Sequence, residues 1–176
     1  LKIVVLPALG NEPHPDPLFF LAGGPGQGAA EMARLLPEMF RRVQSDRDIV
    51  LVDQRGTGKS NPLNCKSEDD SLAALNESLD ASMARLRKCM EGLDADLRLY
   101  TTTIAMDDLN DVRQYLGYDR INIYGGTYGT RAARVYLRRH EPTVRSVILD
   151  GVAPTDMRLP LFFARDAHRS LDRLLG

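Results

Sequence analysis

The sequence has no tryptophan, only two cysteines and three histidines, and no excess of either charge. A formal net charge of -1 argues against a protein that holds nucleic acid or anionic lipid by electrostatic attraction. No apolar run approaches the roughly 20 residues that a membrane-spanning helix requires, so neither nucleic acid nor membrane is expected as a partner. The chain begins at Leu1 inside an apolar run, without an initiator Met or a signal segment, and we expect it to be a piece of a longer protein.

The two cysteines, Cys65 and Cys89, leave two interpretations open. They are either unrelated buried thiols or a disulfide that closes a polar, helical excursion. By chain entropy, such a disulfide would contribute about 3 kcal/mol for a loop of about 25 residues. Neither cysteine has a second Cys or His at the spacing of metal ligands, so we predict no metal site.

Short apolar segments alternate with segments of helical periodicity along the chain. The apolar segments predict strands at residues 2–6, 18–21, 49–52, 121–124 and 146–149. The periodic segments predict helices at residues 30–43, 72–90, 104–116, 128–139 and 161–175. Runs of Val, Ile, Leu and Phe without polar alternation suit a mostly parallel sheet that is covered on both faces. The predicted class is therefore a layered α/β fold, with a polar excursion at about residues 61–99 that lies outside the sheet.

Three glycine-rich loops follow predicted strands, at the strand ends where open α/β sheets carry their chemistry. The first, Ala-Gly-Gly-Pro-Gly-Gln-Gly at residues 22–28, is either a tight turn or a backbone cradle for a negatively charged oxygen. A dinucleotide-binding loop fits poorly here, because Pro25 occupies the first spacer and Ala29 stands where the last glycine of that motif belongs.

The second loop, residues 53–60, ends like the phosphate-binding loop of nucleotide hydrolases. Asp53 stands where that motif has its first glycine, and Asn61-Pro62 interrupts the helix that should begin there. We therefore predict no ATP or GTP site. The simpler interpretation is a structural turn in which Asp53 and Arg55 pair or cap nearby backbone.

The third loop is the most informative. Residues 121–130 read Ile-Asn-Ile-Tyr-Gly-Gly-Thr-Tyr-Gly-Thr, an apolar run followed by a Gly-x-Thr-x-Gly turn and a helical pattern. This is the layout of a nucleophile elbow, in which a reactive hydroxyl is held on a sharp turn from a strand to a helix. Gly125 and Gly129 flank Thr127 at the positions where side chains would collide in so tight a turn.

The elbow follows the first glycine loop by about 100 residues, so two hydrogen-bond donors can converge beside Thr127. One is the N–H group of Tyr128, and the other comes from Gly23 or Gly24. Two such donors would stabilise a developing oxyanion, and the loss of one typically costs about 3 to 4 kcal/mol of transition-state stabilisation.

Four segments together resemble a known family. They read FFLAGGPG, DIVLVDQRGTGKS, YGGTYGTR and VILDGV. They resemble the α/β-hydrolase peptidases, and within these the serine peptidases of the tripeptidyl aminopeptidase and proline iminopeptidase group. The similarity covers essentially the whole chain. It implies a three-layer α/β-hydrolase core, a helical cap, no cofactor, and a Ser–Asp–His triad that removes residues from peptide N-termini.

The resemblance also implies a division of the chain. Residues 1–158 correspond to the N-terminal part of the core, with an incomplete, mostly parallel sheet and helices on both faces, and residues 159–176 correspond to the start of a cap or lid. Secreted members similar to this chain often carry a disulfide in the region of Cys65 and Cys89. We therefore expect an extracytoplasmic protein, secreted or periplasmic.

By the same resemblance, Thr127 occupies the nucleophile position, and the backbone N–H groups of Gly24 and Tyr128 supply the oxyanion hole, with Gly23 as the alternative donor. The family has serine where this chain has Thr127. A β-branched side chain adds crowding to a backbone that is already strained, so we expect weak or altered activity at this position.

The resemblance places the two catalytic partners of the nucleophile, the acid and the histidine, beyond Gly176. His14, His140 and His168 are interpreted as surface or packing residues. Asp150 follows a predicted strand and is a weaker candidate for the acid, with a turn-capping carboxylate as the alternative. Losing a triad member typically costs about 10⁴ to 10⁶ in turnover, so we expect the 176-residue chain alone to be essentially inactive.

The sequence thus predicts an exopeptidase that releases N-terminal residues or short peptides from substrates with a free N-terminus. An esterase-like hydrolase on the same core is the alternative among enzymes. A catalytically inactive chain that self-associates through an exposed sheet edge is the alternative from a different class.

Overall fold

The computed structural model describes residues 1–65, 78–158 and 161–175. In this part of the chain one sheet is formed by β1 (Ile3–Leu6), β2 (Leu18–Leu21), β3 (Ile49–Val52), β4 (Ile121–Gly126) and β5 (Val144–Asp150). The α-helices are α1 (Leu36–Met39), α2 (Arg41–Gln44), α3 (Leu79–Glu91), α4 (Thr102–Tyr115), α5 (Tyr128–His140) and α6 (Leu161–Leu175). Short 3-10 helices cover Ala29–Arg34, Leu97–Leu99 and Glu141–Thr143.

The order of the strands across the sheet is β1-β3-β2-β4-β5. β1 runs antiparallel to β3, and the other neighbours are parallel, so β2 lies in the centre with Phe20 opposite both Leu51 of β3 and Tyr124 of β4. The predicted mostly parallel α/β sheet is confirmed. Because parallel strands end at the same edge, the loops after β2, β3 and β4 meet there.

Successive residues of the central strands point to opposite faces of the sheet, and both faces are buried. On one face Phe19, Val50 and Ile123 pack against α4 and α5. On the other face β2 and β3 pack against the segment that contains α1 and α2. This burial on both faces explains why the strands are continuous apolar runs, and it gives the expected three layers.

The predicted helix at residues 30–43 is wrong as a single element. The segment is a 3-10 helix over Ala29–Arg34 followed by the one-turn helices α1 and α2. Pro37 lies in the first turn of α1, where it lacks the N–H group that would continue a helix from the preceding turn. The spacing of the apolar residues alone does not reveal that break. The segment still places Leu36, with no exposed surface, against the sheet.

α3 lies in the polar excursion and buries none of its residues. It begins at Leu79, after the N-cap Ser78, whose hydroxyl accepts a hydrogen bond from the N–H group of Ala81. The first part of the predicted helix, residues 72–77, lies outside the described residues. A disulfide between Cys65 and Cys89, with a Cα–Cα distance of 5.6 Å, joins α3 to the segment that follows β3.

The other predicted helices agree with the structure to within a few residues. α4 begins after the N-cap Thr101, and α5 runs to His140. Among the helices of the described ranges, none combines the length and the apolarity that a bilayer span requires.

We expect the core between the sheet and α4 to contribute most of the stability. Leu109 lies in this core with 1% of its surface exposed, so the Leu109→Ala variant should lose about 3 kcal/mol of unfolding free energy through lost burial and the remaining cavity. Urea denaturation followed by circular dichroism measures this loss. Leu174→Ala, at a position that is 81% exposed, is the matched control and should change stability by less than about 0.5 kcal/mol.

Candidate active site

Thr127 lies on the turn between β4 and α5, in a backbone conformation that threonine rarely adopts. Its φ is 48° and its ψ is -113°. For a β-branched residue, a positive φ is a true outlier and costs on the order of 1–3 kcal/mol, so the surrounding contacts must impose it. The side chain is exposed. A hydroxyl is thus presented to solvent on a sharp turn at the carboxyl edge of the sheet.

Two glycines allow this turn. A Cβ added at Gly125 would overlap the carbonyl oxygen of Gly129, and one added at Gly129 would overlap the carbonyl oxygen of Leu21. Both obstacles are backbone atoms, which cannot move aside as a flexible side chain can. The second contact also sets the first turn of α5 directly on the end of β2.

Backbone hydrogen bonds hold the turn from its other side. The N–H group of Thr127 donates to the carbonyl oxygen of Asp150 over 2.8 Å. The carbonyl oxygen of Thr127 accepts hydrogen bonds from the N–H group and the hydroxyl of Thr130, at 3.0 and 2.6 Å. The Thr130 hydroxyl in turn accepts from the N–H group of Ala153 at 2.8 Å, which joins the elbow to the loop after β5.

The hydroxyl of Thr127 faces the first glycine loop. A Cβ added at Gly23 would overlap Oγ1 of Thr127, so only glycine leaves room for that hydroxyl. Gly24 follows with φ of +103°, where an added Cβ would come within 2.8 Å of the backbone nitrogen of Gly26. The structure thus places Gly23, the alternative predicted donor, against the hydroxyl of Thr127, with Gly24 and Tyr128 as the next residues of the two loops. Backbone N–H groups beside a hydroxyl can stabilise negative charge that develops on an adjacent carbonyl oxygen.

Asp53 connects the first two glycine loops. Its side chain is buried, at 1% exposure, and its carboxylate accepts hydrogen bonds from the N–H groups of Ala30 at 2.7 Å and Lys59 at 2.9 Å. Gly28 and Gly58 pack so closely on this carboxylate that a Cβ on either would crowd it. The interpretation of Asp53 as a residue that caps nearby backbone is confirmed.

Arg55 forms the second connection, to a partner that no sequence pattern identifies. Its guanidinium donates two hydrogen bonds to the carboxylate of Asp108 on α4, at 2.6 and 2.5 Å, and a third to the carbonyl oxygen of Leu99. The hydrogen bond with Asp108 raises the pKa of Arg55. The loop after β3 is therefore tied to the middle of α4 and to the 3-10 helix that precedes it.

Asp150, the weaker candidate for an acid, pairs with a tyrosine. Its carboxylate accepts a hydrogen bond from the hydroxyl of Tyr124 over 2.5 Å, and this bond raises the pKa of Tyr124. The Tyr124 ring stacks on Phe20 at a centroid distance of 5.5 Å, on the face of the sheet that packs against α1 and α2. Within the described residues, no histidine pairs with Asp150.

None of the three histidines contacts Thr127 in the described ranges. His14 faces Asp46 at 3.8 Å, and His168 faces Asp172 at 3.5 Å on α6. His140 ends the helix that begins next to Thr127, about 18 Å away at the rise of an α-helix, and bonds Asp107 at 3.0 Å. The described part of the chain also contains no cluster of three or more His, Cys, Asp or Glu side chains that could hold a metal ion.

A cleft of about 320 Å³ opens beside the elbow. Its walls are the loop after β2, the loop after β3, the segment that leads into α4, and the ring of Tyr128. Gly23 and Tyr128 line this cleft and also flank Thr127, so the cleft and the elbow are adjacent. Sequence reasoning missed this cleft, because its walls come from four separate segments.

The fold and this elbow define a class of protein. The sequence profile of the α/β hydrolase fold family matches residues 16–170, and the chain belongs to this family. A proline iminopeptidase of Neisseria gonorrhoeae is 29% identical over 143 residues, which cover 79% of this chain and 34% of that protein. The serine protease Hip1 of Mycobacterium bovis is 28% identical over 167 residues, covering 86% of this chain and 32% of that protein.

A solved structure supports the same fold. The crystal structure of a proline iminopeptidase from Mycobacterium smegmatis superimposes with a TM-score of 0.56 at 21% identity, covering 82% of this chain and 38% of that one. The chain spans about a third of the length of the two curated relatives, and both of these are named as enzymes that hydrolyse peptide bonds.

The contact between Gly129 and β2 should be essential for the turn. The Gly129→Ala variant places a Cβ on the Leu21 carbonyl oxygen and should lose more than about 2 kcal/mol of unfolding free energy, although alanine favours helices. Gly126→Ala is the matched control, because its Cβ would meet only the Tyr124 ring at 3.8 Å. Urea denaturation of both variants tests this. Equal stability of the two variants would contradict the described packing.

The buried carboxylate of Asp53 should stabilise both glycine loops. In Asp53→Asn an amide NH₂ replaces one accepting oxygen and faces the N–H group of Ala30 or Lys59, so we expect a loss of about 2 kcal/mol. Asp111→Asn, at an exposed position of α4, is the control and should have no measurable effect. Thermal and urea unfolding measure both. A loss for Asp53→Asn no larger than for the control would show that the carboxylate does not hold the loops.

Proposed function

We propose that this chain carries the nucleophile and the oxyanion hole of a hydrolase that cleaves the first amide bonds of peptides with a free N-terminus. The observation that carries the proposal is the exposed hydroxyl of Thr127, held at positive φ and directed at Gly23. The names of the relatives support peptide bonds as the substrate.

In the proposed reaction, Oγ1 of Thr127 attacks the scissile carbonyl carbon while a general base takes its proton. The carbonyl oxygen becomes negative and accepts hydrogen bonds from the N–H groups of Gly24 and Tyr128. The C–N bond then breaks, the base returns the proton to the departing amine, and water hydrolyses the acyl ester on Thr127. We assign the base to the part of the relatives' length that this chain does not span.

The same assignment implies that the 176-residue chain alone turns over peptides very slowly, since no described histidine contacts Thr127. Asp150 stays a weaker candidate for the acid, with its Oδ2 already accepting the hydrogen bond from Tyr124. The disulfide supports an extracytoplasmic location, because such bonds persist in oxidising compartments.

The methyl group of Thr127 should limit the reactivity of the hydroxyl. A Cβ built at Gly151 would lie 3.8 Å from Cγ2 of Thr127, so the methyl lies beside Gly151 while the hydroxyl faces Gly23. In a protein of the relatives' full length, where the proposed base is present, Thr127→Ser removes the methyl and should react with a fluorophosphonate probe at least about tenfold faster than the Thr127 form, because a β-branched side chain has little rotational freedom.

Mass spectrometry of the labelled peptide measures this reaction, and Thr127→Ala is the control that should remain unlabelled. Labelling of the alanine variant at the same rate, or no labelling of the serine variant, would contradict the assignment of residue 127 as the nucleophile.

The substrate class is tested separately. In a protein of the relatives' full length, we expect aminoacyl arylamides with a free amine to be cleaved faster than the same arylamides after N-acetylation. Cleavage of aryl esters without measurable cleavage of the arylamides would favour an esterase. Absence of turnover, together with a stable dimer in light scattering, would favour a chain that associates through the edge strand β5, which pairs with β4 alone among the described strands.

A further inference from the structure

The cleft beside the elbow has a wall chemistry that restricts its ligand. Among the described residues, its one charged lining residue is Arg55, whose guanidinium donates two hydrogen bonds to the Asp108 carboxylate. Both partners of this pair are mostly buried, with 25% and 19% of their side chains exposed. No Asp or Glu lines the cleft among the described residues. An ammonium group placed there would lose its hydration without gaining a counter-ion, and this is costly.

The remaining walls combine neutral polar groups with apolar surface. Gln27 and Gln54 extend from the two glycine loops, and the rings of Tyr100 and Tyr128 provide apolar area. Within the described part of the chain, the Gln54 amide makes no side-chain hydrogen bond, and the Gln27 amide donates only a long one, of 3.4 Å, to the sulfur of Met32. Each amide has both donors and an acceptor, which is also what a peptide group presents.

The position of the cleft relates it to the reacting bond. Gly23 and Tyr128 line it and also adjoin Thr127, so a substrate whose carbonyl lies at Thr127 extends one of its two sides into the cleft. On the proposed function, one side carries a free ammonium and the other is the departing peptide. A volume of about 320 Å³ is at the lower end of small-ligand sites, which suits a short segment.

We infer that this cleft binds the uncharged peptide segment on the leaving-group side of the scissile bond, with Gln27 and Gln54 as the residues that recognise its peptide groups. The inference rests on the proposed function, which determines which side of the scissile bond enters the cleft. The amine-bearing residue then lies on the opposite side of Thr127, away from these loops.

The test measures how tightly short peptides bind to the 176-residue chain. Binding is monitored through the chemical shifts of the backbone amides in NMR spectra. N-acetyl-trialanine amide, which is uncharged, should shift the resonances of Gly26, Gln27 and Gln54 along one saturation curve. Trialanine amide with a free ammonium should bind at least about fivefold more weakly. Gln54→Ala should weaken the acetylated probe by about fivefold, the usual effect of losing one hydrogen bond, and so should Gln27→Ala, whose side chain is exposed.

Gln114→Ala, at an exposed position of α4, is the matched control and should leave binding unchanged. Circular dichroism checks that each variant is folded. Absence of shifts with the acetylated probe, shifts confined to other regions, or tighter binding of the ammonium probe would overturn the inference. Fluorophosphonate labelling of Thr127→Ser does not depend on this cleft, so failure of the cleft and failure of the proposed nucleophile are distinguished.

Discussion

The close contact between the first turn of α5 and the end of β2 is the constraint on which the rest of the site depends. Gly129 touches the carbonyl oxygen of Leu21, and Gly125 touches Gly129, so no side chain can separate these backbones. This approach forces Thr127 into its positive φ and brings Tyr128 beside the first glycine loop. The strain at Thr127 is therefore imposed by packing, and the free energy that offsets it comes from the buried strands on either side.

A buried carboxylate and a partly buried ion pair hold the surrounding loops. Asp53 accepts backbone N–H groups from two loops, and Arg55 is bound to Asp108 on α4. Such groups contribute less net stability than their number suggests, because removing them from water is costly. Their main effect is geometric, since they fix where three separate segments lie relative to Thr127. A site on a strained turn requires that kind of support.

The accuracy of the prediction from sequence differs from one structural element to the next. The strands were predicted well because short continuous apolar runs are a strong local pattern, and β4 and β5 extend the predicted segments by only a few residues. The helix at residues 30–43 was predicted wrongly, because Pro37 and a 3-10 turn break a segment whose apolar spacing is helical. The partner of Arg55 was missed, since Asp108 is far away in sequence and only the docking of α4 brings the two together.

The sequence by itself determined the α/β class, the three loops at one edge of the sheet, and the residues of the elbow, because each depends on local spacing and on the small size of glycine. The tertiary structure decided what depends on several distant segments at once. It set the direction of the Thr127 hydroxyl toward Gly23, the pairing of Asp150 with Tyr124, the Cys65–Cys89 disulfide, and the cleft beside the elbow. These features arise from atoms that meet only when the sheet and its helices pack, and no pattern along the chain specifies such distances.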